Sequence, residues 1–259
     1  MYEKMKAELE RKTGASSLPD IYLIDMSSPS NVVERQKAFT SRQQFNEFVN
    51  GLEKENNNVR ARARKNASDH SSKLRQMLTN QKEANFVAFD LEVYDKDRQT
   101  ILEVGSVKFT LKDDDKPEYF HAIIEENLHL VNSNVGDNRD NFKFGTSQRM
   151  SLKEAAALLQ EKIASADVLV VHAGANDDKY LADNDIKTAE KTTFDTQILA
   201  LNLLPTSNPR MISWGLKKIL EELLISFDQD ILHNAGNDAH YTTMAFKRLV
   251  KKAMPGARF

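Results

Sequence analysis

The stretch Phe86-Val87-Ala88-Phe89-Asp90-Leu91-Glu92-Val93 decides how this chain is read. Four apolar residues lead into an alternation of carboxylate and apolar side chains. On a β-strand successive side chains point to opposite faces, so Asp90 and Glu92 share one side. Two like charges so placed repel, and burying them without a partner is costly. A bound cation relieves that cost, and hard oxygen ligands suit magnesium or manganese. A strand end fraying into solvent would look the same in this segment alone.

Working outward, Ile101 to Thr110 and Tyr119 to Ile124 read as two further strands. Polar turns at Tyr94 to Thr100 and Lys112 to Lys116 separate them, which predicts a three-strand meander. Ser151 to Ile163 reads as a helix: Ser151 caps it, Glu154 stands at the capping-box position, and Ala155, Leu158, Leu159 and Ile163 form its apolar face. Val168 to Val171 is continuously apolar, as a buried central strand would be. Further helices are expected at about Asp177–Ala182, Ile212–Leu224 and Asn237–Lys252. Residues 126–150 are polar and read as one long loop, a length that is usually functional or mobile inside a compact domain. The pattern predicts an α/β domain over residues 84–259.

Residues 1–83 form a separate N-terminal extension in this reading. It holds a short strand candidate at Ile21-Tyr22-Leu23-Ile24, a breaker at Pro29, and a helix from Ser41 to about Glu55 carried by Phe45, Phe48, Val49 and Leu52. Residues 58–82 then carry Arg60, Arg62, Arg64, Lys65, Lys73, Arg75 and Lys82 against Asp69 alone. This stretch reads as an exposed helix or connector. Arg60, Arg62, Arg64 and Lys65 are candidate contacts to a phosphate backbone, against the plainer reading of a solvated helix face.

Composition bounds the rest. The chain has 259 residues, 40% hydrophobic and 29% charged, which allows a packed core and argues against wholesale disorder. No apolar run reaches the roughly 18 residues needed to span a bilayer. The first residues lack the apolar core of a signal peptide. With no cysteine, disulfides and cysteine–zinc sites are excluded. These features point to an intracellular protein, cytoplasmic or nuclear, with mitochondria also open, and to no membrane partner. The formal net charge of −2 gives no global support for nucleic-acid binding, so any basic surface must be local.

Two more segments carry carboxylates. His172-Ala173-Gly174-Ala175-Asn176-Asp177-Asp178-Lys179-Tyr180-Leu181 leads from the buried strand through small residues into a helix, where Asp177 or Asp178 could equally be an ordinary N-terminal acid. His233-Asn234-Ala235-Gly236-Asn237-Asp238 places a loop histidine just before a helix whose first turn holds Asp238. Taken alone, that segment reads as readily as an exposed ring and a cap.

Together the segments resemble the DEDDh family of 3′→5′ exonucleases, in which an Asp-x-Glu strand, a mid-chain Asp and a final His-x-x-x-x-Asp occur in this order. Here they are Asp90 and Glu92, Asp177, and His233 with Asp238. Ile101-Leu102-Glu103-Val104-Gly105 resembles the family's second-strand motif, and Phe194-Asp195-Thr196 its Asp-Thr strand. The likeness covers about Phe86 to Val250. Asp177 rather than Asp178 is aligned because it stands five positions after His172 and four before Leu181. His172-Ala173 departs from the His-Asn found in many members. The segments Glu126 to His129, Asp137 to Gly145 and His233 to Asp238 also resemble a fungal subfamily that includes the Argonaute-interacting exonuclease QIP.

The resemblance implies a ribonuclease H-like fold, a mixed sheet flanked by helices. It implies two Mg²⁺ or Mn²⁺ ions about 3.5–4 Å apart on Asp90, Glu92, Asp177 and Asp238, with His233 as general base. It implies a nucleic acid with a free 3′ end as substrate, the strand around Leu91 and Val93 lying near the terminal nucleotide, and an Argonaute or RNA-processing partner. The competing reading is a catalytically silent binding module on the same fold, and an endonuclease with a similar cluster is a third.

Overall fold

The computed structural model describes residues 41–257 apart from 82, 98, 113, 115, 134, 175, 176, 185, 189, 190 and 207, with backbone alone at 177–179. The strand candidate at Ile21–Ile24 and the basic residue Lys82 lie outside the described residues. The described residues form two compact units. One holds a helix up to Lys65 together with Thr206–Ile212, and the other runs over Asn66–Pro205 and from Ser213 onward.

That helix, α1 (Arg42–Asn80), is continuous where the sequence suggested a helix to about Glu55 followed by an exposed helix or connector. Its last third explains why. Ala67, Ser71, Leu74 and Leu78 are buried at helical spacing. His70 Nε2 accepts the Asp195 backbone N–H at 2.9 Å, and Arg75 Nε donates to the Ala253 carbonyl at 3.0 Å. Burial, with Lys73 nearby, lowers the His70 pKa to about 4, so the ring is neutral and free to accept. Arg75 is therefore a tie within this unit.

The sheet has six strands in the order β4-β3-β2-β1-β5-β6. These are β1 (Phe86–Val93), β2 (Ile101–Phe109), β3 (Glu118–Ile124), β4 (Gln148–Met150), β5 (Val168–Val171) and β6 (Thr192–Asp195). β1, β2 and β3 form the expected antiparallel meander, while β4, β5 and β6 pair in parallel with β3, β1 and β5. The mixed sheet flanked by helices is thus the architecture the sequence predicts. β4 is a correction, because the loop 126–150 ends in a short edge strand. Gln148, Arg149 and Met150 carry no strand pattern of their own, and their pairing comes from the edge at Ala122–Ile124.

Each face of the sheet buries one phase of the alternation. Val87, Phe89 and Leu91 pack with Phe120, Ala122 and Ile124 against Leu159 and Ile163 of α2 (Leu152–Ser165). The predicted capping box is present: Ser151 Oγ accepts the Glu154 N–H, and Glu154 accepts the Ser151 N–H at 3.0 Å. After β5 come α3 (Asp177–Asp183), α4 (Thr196–Leu203), α5 (Leu216–Glu222) and α6 (Ala235–Ala253). Phe86, Phe109 and Phe194 gather around Phe246 of α6, with ring centroids 5.5, 6.2 and 6.2 Å away. Each such buried side chain contributes roughly 1.5–3 kcal/mol. The sheet face that carries Phe86 is the face that carries Asp90 and Glu92. α5 is shorter than expected: Ser213 and Trp214 are buried ahead of its Gly215 cap, and the Trp214 carbonyl accepts from Gln197 Nε2 instead of continuing a helix.

Candidate metal centre

β5 pairs with β1 only at Phe86, Val87 and Ala88. Beyond that point β1 runs on with β2 alone beside it, which opens space next to Asp90 and Glu92. Their antiparallel partners on β2 are Gly105 and Glu103.

Gly105 is where the last helix arrives. A Cβ at this position would lie 2.0 Å from the Ala235 carbonyl oxygen and 2.4 Å from the Gly236 nitrogen. At Gly236 a Cβ would lie 2.6 Å from the Phe142 ring. Two glycines, one on the strand and one on the helix, therefore let the N-terminus of α6 settle on the sheet. Gly105→Ala must push α6 away from β1, because its clash is with backbone. The expected result is a loss of about 3 kcal/mol, at the upper end for overpacking, with loss of divalent-metal affinity. Urea unfolding and calorimetric Mn²⁺ titration of the variant would check both.

This approach brings Glu92, His233 and Asp238 together, with one potential ligand atom from each lying within 4.8 Å of the others. Asn234 caps α6 by accepting the Asn237 N–H, and the first turn then presents Asp238. Asp238 Oδ2 accepts the His233 backbone N–H at 3.1 Å. Its Oδ1 is buried with no hydrogen-bond partner among the described residues. Burial raises the Asp238 carboxyl well above its ordinary range, and the charge of Asp90 adds to the rise. Burial likewise pushes Asp90 up to about 7, with Glu103 contributing. His233 is exposed, and partial burial holds its pKa below the ordinary value. Crowded carboxylates with an orphaned buried oxygen are a donor set that fits hard divalent cations.

Asp177 is the first residue of α3, and its side chain, like that of Asp178, lies outside the described residues. The turn before it is braced by Asp195, which accepts the N–H groups of Ala173 at 3.1 Å, Gly174 at 3.1 Å and Gln197 at 2.8 Å. Ala173 has a φ of 56°. Asparagine enters this left-handed region more readily than alanine does. The departure from His-Asn thus falls on a residue whose backbone would favour Asn. His172 is turned inward, with Nδ1 2.9 Å from Thr196 Oγ1.

Leu91 is buried in the α2-side core and Val93 packs against its edge, so only their backbone could face a ligand. Arg60, Arg62, Arg64 and Lys65 lie on α1 in the other unit, where Arg60 donates to Asn57 Oδ1 at 2.8 Å and Arg64 to the Pro209 carbonyl.

Glu103 is the site residue that the sequence reading left within a strand motif. It is 3% exposed, 2.9 Å from His121 Nε2, and accepts the Ala235 N–H at 3.3 Å. His121 Nδ1 is in turn 2.9 Å from Ser147 Oγ. An acid between Leu102 and Val104 in an otherwise apolar strand was the available signal. A cleft beside this group is walled by Glu92, Glu103, His233, Asp137, Arg139 and Val131.

Carboxylates on a central strand and on a helix start, beside a histidine, thus gather on one face of a mixed α/β sheet. The family described as DNA polymerase III subunit epsilon-like, C-terminal domain, of DEDDh type, matches residues 85–249, and this chain belongs to it. An uncharacterized nucleolar protein of Schizosaccharomyces pombe is 34% identical over 176 residues, which cover 65% of this chain and 70% of that protein. Good for full DBP5 activity protein 2 of Saccharomyces cerevisiae is 28% identical over 225 residues, covering 73% of this chain and 39% of that protein. Among solved structures, exonuclease I of Methylocaldum szegediense aligns with a TM-score of 0.45 at 15% identity, over 67% of this chain and 41% of its own. Exonuclease I of E. coli in complex with a dA16 oligonucleotide aligns with a TM-score of 0.44 at 13% identity, over 66% and 41%. The chain spans about two fifths of these exonuclease I chains.

Proposed function

We propose that this chain is a 3′→5′ exonuclease that hydrolyses RNA or DNA from a free 3′ end to nucleoside 5′-monophosphates. The observation that carries the reading is the convergence of Glu92, His233 and Asp238 beside Asp90. Asp90, Glu92, Asp177 and Asp238 would hold two Mg²⁺ or Mn²⁺ ions. Such ions, when bound, polarise the scissile phosphate and acidify an attacking water. His233 accepts the proton of that water at a ring nitrogen. Its lowered pKa keeps the ring unprotonated at neutral pH, the form a general base requires.

Matched RNA and DNA oligonucleotides, single- and double-stranded, 3′-blocked or circular, with Mg²⁺, Mn²⁺ or EDTA, test the reading. Release of monophosphates from free 3′ ends only, abolished by EDTA, is expected. Binding without hydrolysis under every condition would leave a silent binding module, and cleavage of circles an endonuclease. The nucleolar relative supports a nuclear location within an intracellular range. Placement beside QIP, with an Argonaute or RNA-processing partner, rests on the motifs around Asp137 and His233.

The fourth carboxylate is assigned to Asp177. Asp177→Asn is expected to abolish metal-dependent hydrolysis, whereas Asp178→Asn should change mainly the start of α3. Rates and Mn²⁺ affinities of the two variants decide it, and reversed phenotypes would shift the alignment by one residue.

Arg60, Arg62, Arg64 and Lys65 are proposed to guide the phosphate backbone of long substrates. Phosphate contacts release counterions, so binding through them weakens steeply with salt. Replacing all four with alanine should raise KM on long substrates and flatten its salt dependence, while cleavage of a dinucleotide stays unchanged. Equal effects on both substrates would instead indicate damaged folding.

A further inference from the structure

The turn that carries His233 is tied down by asparagines. His233 has a φ of 62°, a left-handed backbone that is strained for a non-glycine residue and persists only where its surroundings enforce it. Asn138 Nδ2 donates to the carbonyls on either side of Ile231, those of Leu232 at 2.8 Å and Asp230 at 3.1 Å. Asn234 Nδ2 donates back to the Asn138 and Arg139 carbonyls at 3.0 and 3.2 Å. Asn237 Nδ2 donates to Ile231 and Asn141 carbonyls at 2.8 and 3.0 Å, and its Oδ1 accepts the Lys143 N–H at 3.0 Å. Asn234 and Asn237 are fully buried, and each uses both amide hydrogens and its oxygen. Arg139, gripping Asp137 at 2.6 Å and the Leu128 carbonyl at 3.3 Å, anchors the far side of the strap.

We infer that Asn138, Asn234 and Asn237 are positioning residues that clamp the strap 137–143 onto the turn 230–237 and thereby hold His233 in its left-handed conformation over Glu92 and Asp238. Phe142 of the strap and Ile231 and Leu232 of the turn are buried as well, so the asparagines fix the backbone of segments that apolar packing already holds close. The same bonds that satisfy the strap's carbonyls enforce the histidine backbone. Released, the turn would relax toward an ordinary φ and swing the imidazole off the reacting water. A misplacement of about 1 Å costs on the order of 10²-fold in rate.

The inference rests on His233 acting as the base, so its test separates the two ideas. Asn138 is only half-buried, and of the two carbonyls that Asn138→Ala frees, that of Asp230 belongs to an exposed residue, so the variant should fold. Its kcat is expected to fall about tenfold to a hundredfold, with KM and Mn²⁺ affinity within about twofold of wild type. In the His233→Ala background the same change should cost nothing further, because it acts through the missing ring. Amide hydrogen exchange at 230–234 and at 137–141 should quicken together. Losses that multiply in the double variant, or unaltered exchange at 230–234, overturn the inference. If His233→Ala alone keeps wild-type turnover, the general-base reading falls instead, and exchange still decides whether the strap holds the turn.

Discussion

Asp238→Asn is expected to lower turnover on a 3′-labelled oligonucleotide by about 10³-fold, the scale on which loss of one charge-stabilising group acts, while making the metal-free protein more stable. The two effects share one cause. Asp238 and Asp90 are both raised, by burial first and then by carboxylate charge, Asp90 acting on Asp238 and Glu103 on both. A carboxyl whose folded pKa exceeds its unfolded value binds more protons in the native state across the interval between them. Stability from that source is therefore present at low pH and lost as pH rises above about 4, for Asp90 through about 7. Asparagine keeps the oxygen that accepts the His233 N–H and removes the charge. In EDTA at pH 7.5 the variant should thus be more stable than the wild type, and the gap should close as pH falls toward 4. With Mg²⁺ present the order should reverse, since the wild type alone gains the full ligand set. Urea midpoints at two pH values, with and without metal, measure all of this. An Asp238→Asn protein that is less stable than wild type in EDTA would refute the view of a charge-crowded site.

His233→Ala should reduce kcat by about 10²–10⁴-fold, the range for loss of a general base, with little change in KM or Mn²⁺ affinity. The ring is exposed while its backbone N–H, unaffected by the substitution, still donates to Asp238. A drop in kcat with KM preserved is the signature of a group needed in the transition state alone. Because burial holds the His233 pKa below the ordinary value, the wild-type rate should be level near and above neutral pH and decline on the acid side. If metal affinity collapses with the ring, His233 belongs among the ligands, which the 4.8 Å grouping with Glu92 and Asp238 also allows geometrically.

Much of this site was legible residue by residue. Period-two alternation in Phe86 to Val93 put Asp90 and Glu92 on one face, and the structure keeps them on the α6 side of the sheet. The capping box at Ser151 and Glu154 marked α2 because local backbone groups alone define it. Asp238 fell in the first turn of the last helix as its spacing from His233 implied. Glu103 was visible only as an acid in an apolar strand, since its partners His121 and Ala235 are 18 and 132 residues distant along the chain. The edge strand β4 and the inward packing of residues 67–78 were not legible for the same reason: their pairing surfaces lie elsewhere in the sequence.

By itself, then, the sequence determined the alternation of strands and helices, the order of the carboxylates and histidine, and the family they resemble, because these depend on neighbours within a few turns. Only the tertiary structure decided that Gly105 and Gly236 are the contact through which α6 reaches β2, that Glu103 lies behind the carboxylates, and that three asparagines hydrogen-bond across the His233 turn. A glycine or an asparagine carries no sign of its partner in sequence. Its meaning is a distance or a hydrogen bond to backbone that folding alone brings near.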